Sequence, residues 1–468
     1  MNRNILLFLV VIVALLSGCT MAPKYTRPSS PVPAEWPTGA AYTETKKESP
    51  VPAVPELPWR EFITDERLRK VVETSLSSNR DLRLAVLNVD KARALYGIQR
   101  ASLLPAVNAT GSMYKERVPA DLSSTGAANI TEKYSVTGGV SAWEIDFFGR
   151  IQSLKDEAWE QYIATDQDRR SAEIMLISAV ASTYYALAAD RENLKLAAAT
   201  LEAQETTYKL IQKRHDVGLV SALPLRQAQS QVEAARGSVA RYTQLVAQDE
   251  NALNLLAGSP LPPELLPESL AGLSPPRDIS SGLSSEPLLK RPDVLAAEHR
   301  LKASHANIGA ARAAFFPRIS LSTAIGTASA DLSGLFRAGS ATWSFAPQIV
   351  MPIFDARTWS AYEVTKVARE MAVAQYEKAI QTAFREVADS LAVRGTVEQQ
   401  IAAQQSLVEA VAETYRLSNA RYEKGIDSYL SVLDAQRSLY SAEQGLIALR
   451  LARFASLVTL YKVLGGGV

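Results

Sequence analysis

One thiol, three imidazoles and a scatter of carboxylates are what this 468-residue chain offers for chemistry. Cys19 is the only cysteine, which excludes a disulfide framework and a thiolate metal site. His215, His299 and His305 are the only histidines, and none stands at a metal-ligand spacing from a second ligand. The carboxylates lie along helical stretches near Lys or Arg, as solvated faces do. No Gly-rich loop joins a strand to a helix to cradle phosphate, and no nucleophile elbow is present. Six methionines show no clustering, so nothing points to a copper-specific path. Fifty basic side chains balance forty-nine acidic ones, which implies no polyanion partner and no nucleic acid. The chain reads as a non-enzyme with no bound cofactor, and its one chemically distinctive residue is a target for modification.

That residue is Cys19. It ends the stretch MNRNILLFLVVIVALLSGC, in which Arg3 precedes an apolar run from Ile5 to Leu16. Residues 1–18 read as a secretory signal, too short to span a bilayer well. Leu16-Ser17-Gly18-Cys19 resembles the bacterial lipobox, so Cys19 is expected to become the first mature residue and to carry lipid. Acyl chains contribute roughly 0.8 kcal/mol per buried methylene and would hold this end in a membrane. Nine prolines between residues 23 and 58 make 19–63 an extended tether.

The elements beyond the tether come twice. RHDVGLVSALPLRQAQ (214–229) recurs as RYEKGIDSYLSVLDAQ (421–436), matching Arg214/Arg421, Gly218/Gly425, Ser221/Ser428 and Leu223/Leu430. Phe147, Gly218 and Gly258 find Phe354, Gly425 and Gly465 at an offset of 207, while Asp81 and Pro105 find Asp293 and Pro317 at 212. The difference falls between the strands, where loop length is free, so a tandem duplication is indicated. The first repeat covers 64–258, the connector 259–285 and the second repeat 286–468. Within the first, Asp65 can cap a helix that continues to Pro105. Alternating residues then predict a hairpin over about 106–146, with Trp143 in phase with Ser135 and Ser141. A proline-free helix follows with Val180, Leu187, Leu194, Leu201 and Tyr208 seven apart, a coiled-coil seam. A turn at 216–222 leads to a return helix ending at Gly258. The second repeat predicts a hairpin over about 318–354, with Ile353 in its last strand, and a turn at 423–429. Arg394 interrupts the apolar stripe of its long helix.

At 1.5 Å per residue a long helix reaches on the order of 100 Å, matched by the two shorter ones end to end. Strands of this length cross a bilayer. Four strands cannot close a pore in lipid, so several chains must share a barrel. Two chains leave no channel; three give twelve strands and an open bore. The fold class is therefore all-α coiled coil plus transmembrane β. The residues alone also admit a periplasmic coiled-coil scaffold lipoprotein without a transport pore.

LLKRPDVLAAEHRLKASHANIGAARAAFFPRISL (288–321), WEIDFFGR (143–150), VGLVSALPLRQAQ (217–229) and YEKAIQTAFREVADSLAVRG (376–395) closely resemble the outer-membrane factor family. These are TolC-like exit ducts of tripartite efflux pumps, and this chain is similar to their lipidated OprM/NodT branch. The resemblance implies a homotrimer in the Gram-negative outer membrane, with a twelve-stranded β-barrel continued by a twelve-helix periplasmic α-barrel. It implies a passive exit for drugs and other small molecules, partnered by a periplasmic adaptor and an inner-membrane RND transporter. It maps adaptor-contacting tips to Arg214, Gly218, Ser221 and Leu223 and to Arg421, Gly425 and Ser428. Ser221 and Ser428 would cap the returning helices. A periplasmic gate maps to Leu430 and Asp434, where three carboxylates would make a negative constriction able to pair with a basic neighbour. Its duplicate in the first repeat is Gln227, and Pro224 stands where the family pattern suggests an acidic residue.

Overall fold

The computed structural model describes residues 20–42, 57–279 and 284–467. Cys19 and the signal segment lie outside these residues, as does part of the expected tether. In chain order the helices and strands are α1 (Trp59–Phe62), α2 (Glu66–Ser78), α3 (Arg80–Ala101), β1 (Val107–Val118), β2 (Asn129–Ile145), α4 (Arg150–Asp216) and α5 (Ala222–Ala257). A connector of short 3-10 turns leads to α6 (Pro292–Ala313), β3 (Arg318–Ser329), β4 (Ala341–Val350), α7 (Ala356–Glu423) and α8 (Tyr429–Val463). The long helices α4 and α7 have 67 and 68 residues. The chain divides into two compact units. Of the described residues, one comprises 20–29, 88–165 and 296–376, and the other comprises 30–42, 57–87, 166–279, 284–295 and 377–467.

The first unit carries one antiparallel sheet in the order β1-β2-β3-β4, so strands from the two repeats meet in its middle. Its register sorts the side chains. Ile319, Leu321, Thr323 and Ile325 stand opposite Ile349, Pro347, Phe345 and Trp343, while Ser320, Ser322 and Ala324 stand opposite Gln348, Ala346 and Ser344. One face is apolar and the other small and polar, which suits lipid on one side and water on the other. The apolar face is exposed, with Trp343 at 77% and Ile325 at 73%. Trp143 departs from the expected phase. Between Val140 and Trp143 the strand carries one residue more than its partner does between Thr323 and Leu321, so Trp143 falls opposite Leu321 on the apolar face. Ala142 takes the left-handed conformation (φ 51°) there, and its N–H donates to Ser322 Oγ at 2.9 Å. β4 stops at Val350, leaving Met351 and Ile353 beyond its end. Pro352 follows, and a proline has no N–H for the ladder.

In the same unit, residues 20–29 are pinned to α6. Arg27 Nη2 donates to Glu298 Oε2 at 2.7 Å and Tyr25 OH to Oε1 at 3.1 Å. In the second unit, Ser285 N donates to Ala34 O at 2.8 Å, and Trp36 stacks on Phe384 with centroids 5.2 Å apart. The described tether is thus extended but docked. Its end also folds earlier than expected, since Trp59 and Phe62 of α1 are buried.

The core of the second unit holds Leu68, Val71 and Val72 from α2 with the seam residues Val180, Leu187, Leu253, Ile380 and Val387. Asp65 caps α2 by accepting from Leu68 N at 2.8 Å, as its position suggests. The single helix expected up to Pro105 is instead two. Asn79 breaks it in an extended conformation, accepts from Leu82 N through Oδ1 at 2.9 Å and donates through Nδ2 to Leu256 O at 2.9 Å. Asn79 therefore starts α3 while tying the break to the end of α5. At that junction a Cβ on Gly258 would lie 2.3 Å from Ser78 O, so only glycine lets the two backbones approach. Arg394 leaves the apolar stripe because its guanidinium reaches the connector, bonding Ile279 O and, at 2.7 Å, Asp278 Oδ1.

Candidate functional site

The two helical turns of the second unit are built alike. α4 ends with Gly218 at φ +74° and α7 with Gly425 at φ +73°, a conformation that glycine adopts without steric penalty. In each, paired backbone bonds close the helix. Gly218 N donates to His215 O and Leu219 N to Arg214 O, both at 2.8 Å; Gly425 N donates to Tyr422 O at 2.9 Å and Ile426 N to Arg421 O at 3.0 Å.

Ser221 and Ser428 occupy the N-cap positions of α5 and α8, but neither side chain makes the cap bond expected of it. The reasons differ. Pro224 stands third in α5 and has no N–H to offer Ser221. In α8 the third N–H, of Ser431, is taken by the Ser428 backbone carbonyl at 3.2 Å. Both serines are exposed.

Beneath the turns the two repeats share one small core. Ile211 and Ala228 pack with Tyr429, Val432 and Leu433, flanked by Tyr208, Val220, Leu225, Tyr415 and Tyr422. Tyr429 is 4% exposed and lies against Tyr422 with centroids 5.3 Å apart. Burial, with the neighbouring phenols of Tyr422 and Tyr415, pushes the Tyr429 hydroxyl up to about 12. That hydroxyl has no hydrogen-bond partner among the described residues. The duplicates of Tyr422 and Tyr429 are His215 and Ala222. That contrast is the sequence signal that would have found this cluster.

The ends of the turns expose apolar side chains: Val217 (70%), Leu219 (74%) and Leu223 (66%) on the first, Ile426 (59%) and Leu430 (50%) on the second. The matched arginines behave differently. Arg421 forms a two-pronged pair with Asp427, its Nη2 at 3.0 Å from Oδ1, which holds that carboxyl below its ordinary range. The duplicate of Asp427 is Val220, and Arg214 instead lies over the Tyr422 ring at 6.0 Å.

Leu430 and Asp434 lie one helical turn apart on α8, and Asp434 is exposed. Its carboxylate pairs with no basic group among the described residues of the chain. Arg421 is engaged by Asp427, and Arg437 donates through Nε to Gln231 Oε1 at 3.2 Å. Further along, Gln444 Nε2 donates to Tyr242 OH at 2.8 Å and Arg450 Nη1 approaches Glu192 Oε1 at 3.5 Å. These links tie α8 to the first repeat's helices, and none was legible from the duplicated motif. No group of three or more metal-ligating side chains occurs among the described residues.

The family model for outer membrane efflux proteins matches residues 71–259 and again residues 283–466. The toluene efflux pump outer membrane protein TtgC of Pseudomonas putida is 48% identical over 463 residues, which cover 99% of this chain and 95% of that protein. Among solved structures, a membrane protein from Pseudomonas aeruginosa superposes with a TM-score of 0.88 at 41% identity, covering 96% of this chain and 98% of that one. The MtrE outer membrane channel of Neisseria gonorrhoeae, solved in its open state, gives a TM-score of 0.84 at 36% identity with coverages of 96% and 98%. A duplicated family match, a four-stranded sheet with an apolar face and paired long helices converge on one assignment: the chain belongs to the outer membrane efflux protein family.

Proposed function

We infer that the protein is the outer-membrane duct of an efflux pump, a passive exit for small molecules across the Gram-negative outer membrane. The observation that carries the reading is the sheet register, which over 107–113, 134–140, 319–325 and 343–349 puts the larger apolar side chains on one face and small polar ones on the other. Such a sheet is stable in lipid only when closed. Since β1 and β4 are its outer strands, the free edges would be completed by further copies. Three copies give a twelve-stranded bore, wide enough for water and solutes.

The remaining assignments extend this reading. A lipid on Cys19 anchors the N-terminus. The turns at Gly218 and Gly425 present Val217, Leu219, Leu223 and Ile426 to a periplasmic adaptor, with Arg214, Arg421, Ser221 and Ser428 as its polar contacts. An inner-membrane RND transporter supplies the energy. In the trimer, Leu430 and Asp434 from three chains ring the entrance, and Asp434 makes that ring favour cations.

Planar-bilayer recording of the purified protein, with native mass measurement of its assembly, tests the duct. Trimers that conduct are the expected result. Protein that stays monomeric, or that never conducts even with Asp434→Ala, would remove the reading.

A further inference from the structure

A groove of about 390 Å³ opens between α4, α5 and α8. Small residues make most of its wall, Ala197 and Thr200 from α4 and Ala234, Ala235 and Ser238 from α5. Gln204, Gln231, Gln436, Arg437 and Tyr440 also line it. Gln204 is only 4% exposed, and neither its Oε1 nor the Tyr440 hydroxyl has a hydrogen-bond partner among the described residues. Buried polar atoms left without partners are costly, and each is better satisfied by a ligand than by nothing.

The duplication says what such a ligand looks like. At the offset of 207, Ala197, Ala235 and Ser238 correspond to Gln404, Ala442 and Gly445. In the second repeat the Gln404 carboxamide crosses to the opposite helix, its Nε2 donating to Ala442 O at 2.8 Å. It fits there because position 445 is glycine. A Cβ on Gly445 would stand 2.7 Å from Gln404 Nε2. The first repeat changes both positions together, to alanine on one helix and serine on the other, and the space is a groove.

We propose that this groove binds a small neutral molecule bearing a carboxamide or an equivalent donor and acceptor pair, seated where the second repeat places its own Gln404 side chain. The donor meets the carbonyl of Ala235, the counterpart of Ala442. The compact apolar remainder lies against Ala234 and Thr200. The amide supplies both partners the groove asks for: its N–H donates to the Gln204 Oε1 and Ala235 carbonyl acceptors, which a carboxylate cannot do, and its oxygen can accept from Arg437, of which only Nε is bonded among the described residues, to Gln231. The volume falls within the range of small-molecule sites. A ligand of about ten heavy atoms is expected to bind with a Kd on the order of 1 mM.

The test uses the full-length protein and 4-fluorobenzamide followed by fluorine NMR, with 4-fluorobenzoate and 4-fluorotoluene as comparators. Saturable binding of the amide at one site per chain is expected, tighter than either comparator. The double variant Ala197→Gln/Ser238→Gly rebuilds the second repeat's arrangement and should weaken binding by about tenfold or more. The second repeat carries Val411 where the groove has Gln204, so the reverse variant is Gln404→Ala/Val411→Gln, which should open a second groove and raise the stoichiometry to two per chain. A folding defect cannot produce both a loss in one variant and a gain in the other. The proposal is overturned if the amide shows no saturable binding up to about 20 mM, well above the expected Kd. It is overturned equally if the benzoate binds as tightly, if Ala197→Gln/Ser238→Gly binds like the parent, or if Gln404→Ala/Val411→Gln gains no site.

Discussion

Tyr429 gives the sharpest test of the shared core beneath the turns, because two substitutions there should move in opposite directions. Its ring is enclosed by Ile211, Ala228, Val432 and Leu433, and its hydroxyl is buried without a partner among the described residues. Tyr429→Ala removes a buried aromatic side chain and should cost the local structure about 3 to 5 kcal/mol. Tyr429→Phe keeps the ring and removes only the unsatisfied hydroxyl, whose desolvation opposes folding by about 1 to 3 kcal/mol. It should therefore stabilise. Since about 1.4 kcal/mol is a factor of ten, protection of the amides in 205–235 and 415–440 should rise about fivefold or more in the Phe variant and collapse in the Ala variant. Hydrogen exchange read by mass spectrometry measures both. pH supplies a second axis. The phenol titrates near 10 when unfolded and is pushed up to about 12 in the fold, so its contribution is fully present below pH 10 and lost as pH rises from 10 to 12. In the Phe variant this part of the alkaline loss of tip protection should vanish. A Phe variant less protected than the parent would refute the reasoning, since it would mean that the hydroxyl has a partner.

Asp434→Ala should lower the cation preference of the assembled channel toward unity in bilayer reversal-potential measurements; an unchanged preference would place the carboxylate away from the path. Burial raises the Glu298 carboxyl, but bonds from Arg27 and the charge of Lys302 outweigh this and hold it below its ordinary value. Its stabilisation of residues 20–29 is therefore present above about pH 4.5 and lost as pH falls through the lower folded value. Limited proteolysis of this segment across acid pH, compared with Glu298→Gln, reads that loss; in the Gln variant the segment should be accessible already at neutral pH, by roughly 2 kcal/mol. Gly258→Ala places a Cβ against Ser78 O in a left-handed backbone and should destabilise the fold by about 2 kcal/mol or more in denaturant titration.

The duplication makes much of the architecture legible in the sequence. The long helices, the alternating strands and the glycine turns are periodic or local signals, and β1 to β3 and both turns fall where those signals put them. What escaped depends on contacts between distant residues. Asn79 looks like an ordinary helix residue until Leu256 O is found beside it. The phase of Trp143 depends on an extra residue visible only against β3. Ser221 reads as a cap, yet Pro224 is a local signal that argues against it. The links from Arg437 to Gln231 and from Gln444 to Tyr242 join side chains more than 200 positions apart, and no motif announces them. The tether shows the same limit: its proline content predicts extension but says nothing about docking, which Trp36 and Arg27 supply.

The meeting of β2 and β3 has a kinetic consequence. Their seam joins positions such as Ala142 and Ser322, 180 residues apart, whereas each hairpin pairs neighbours. Hairpins form in microseconds, but a seam of such high contact order pays a large loop-closure entropy first. The middle of the sheet is thus the slow joint. Until it closes, each hairpin has two unpaired edges open to wrong partners. Duplication within one chain answers this hazard by holding the two hairpins at a high effective concentration, so that each subunit meets its neighbours with a sheet already half decided.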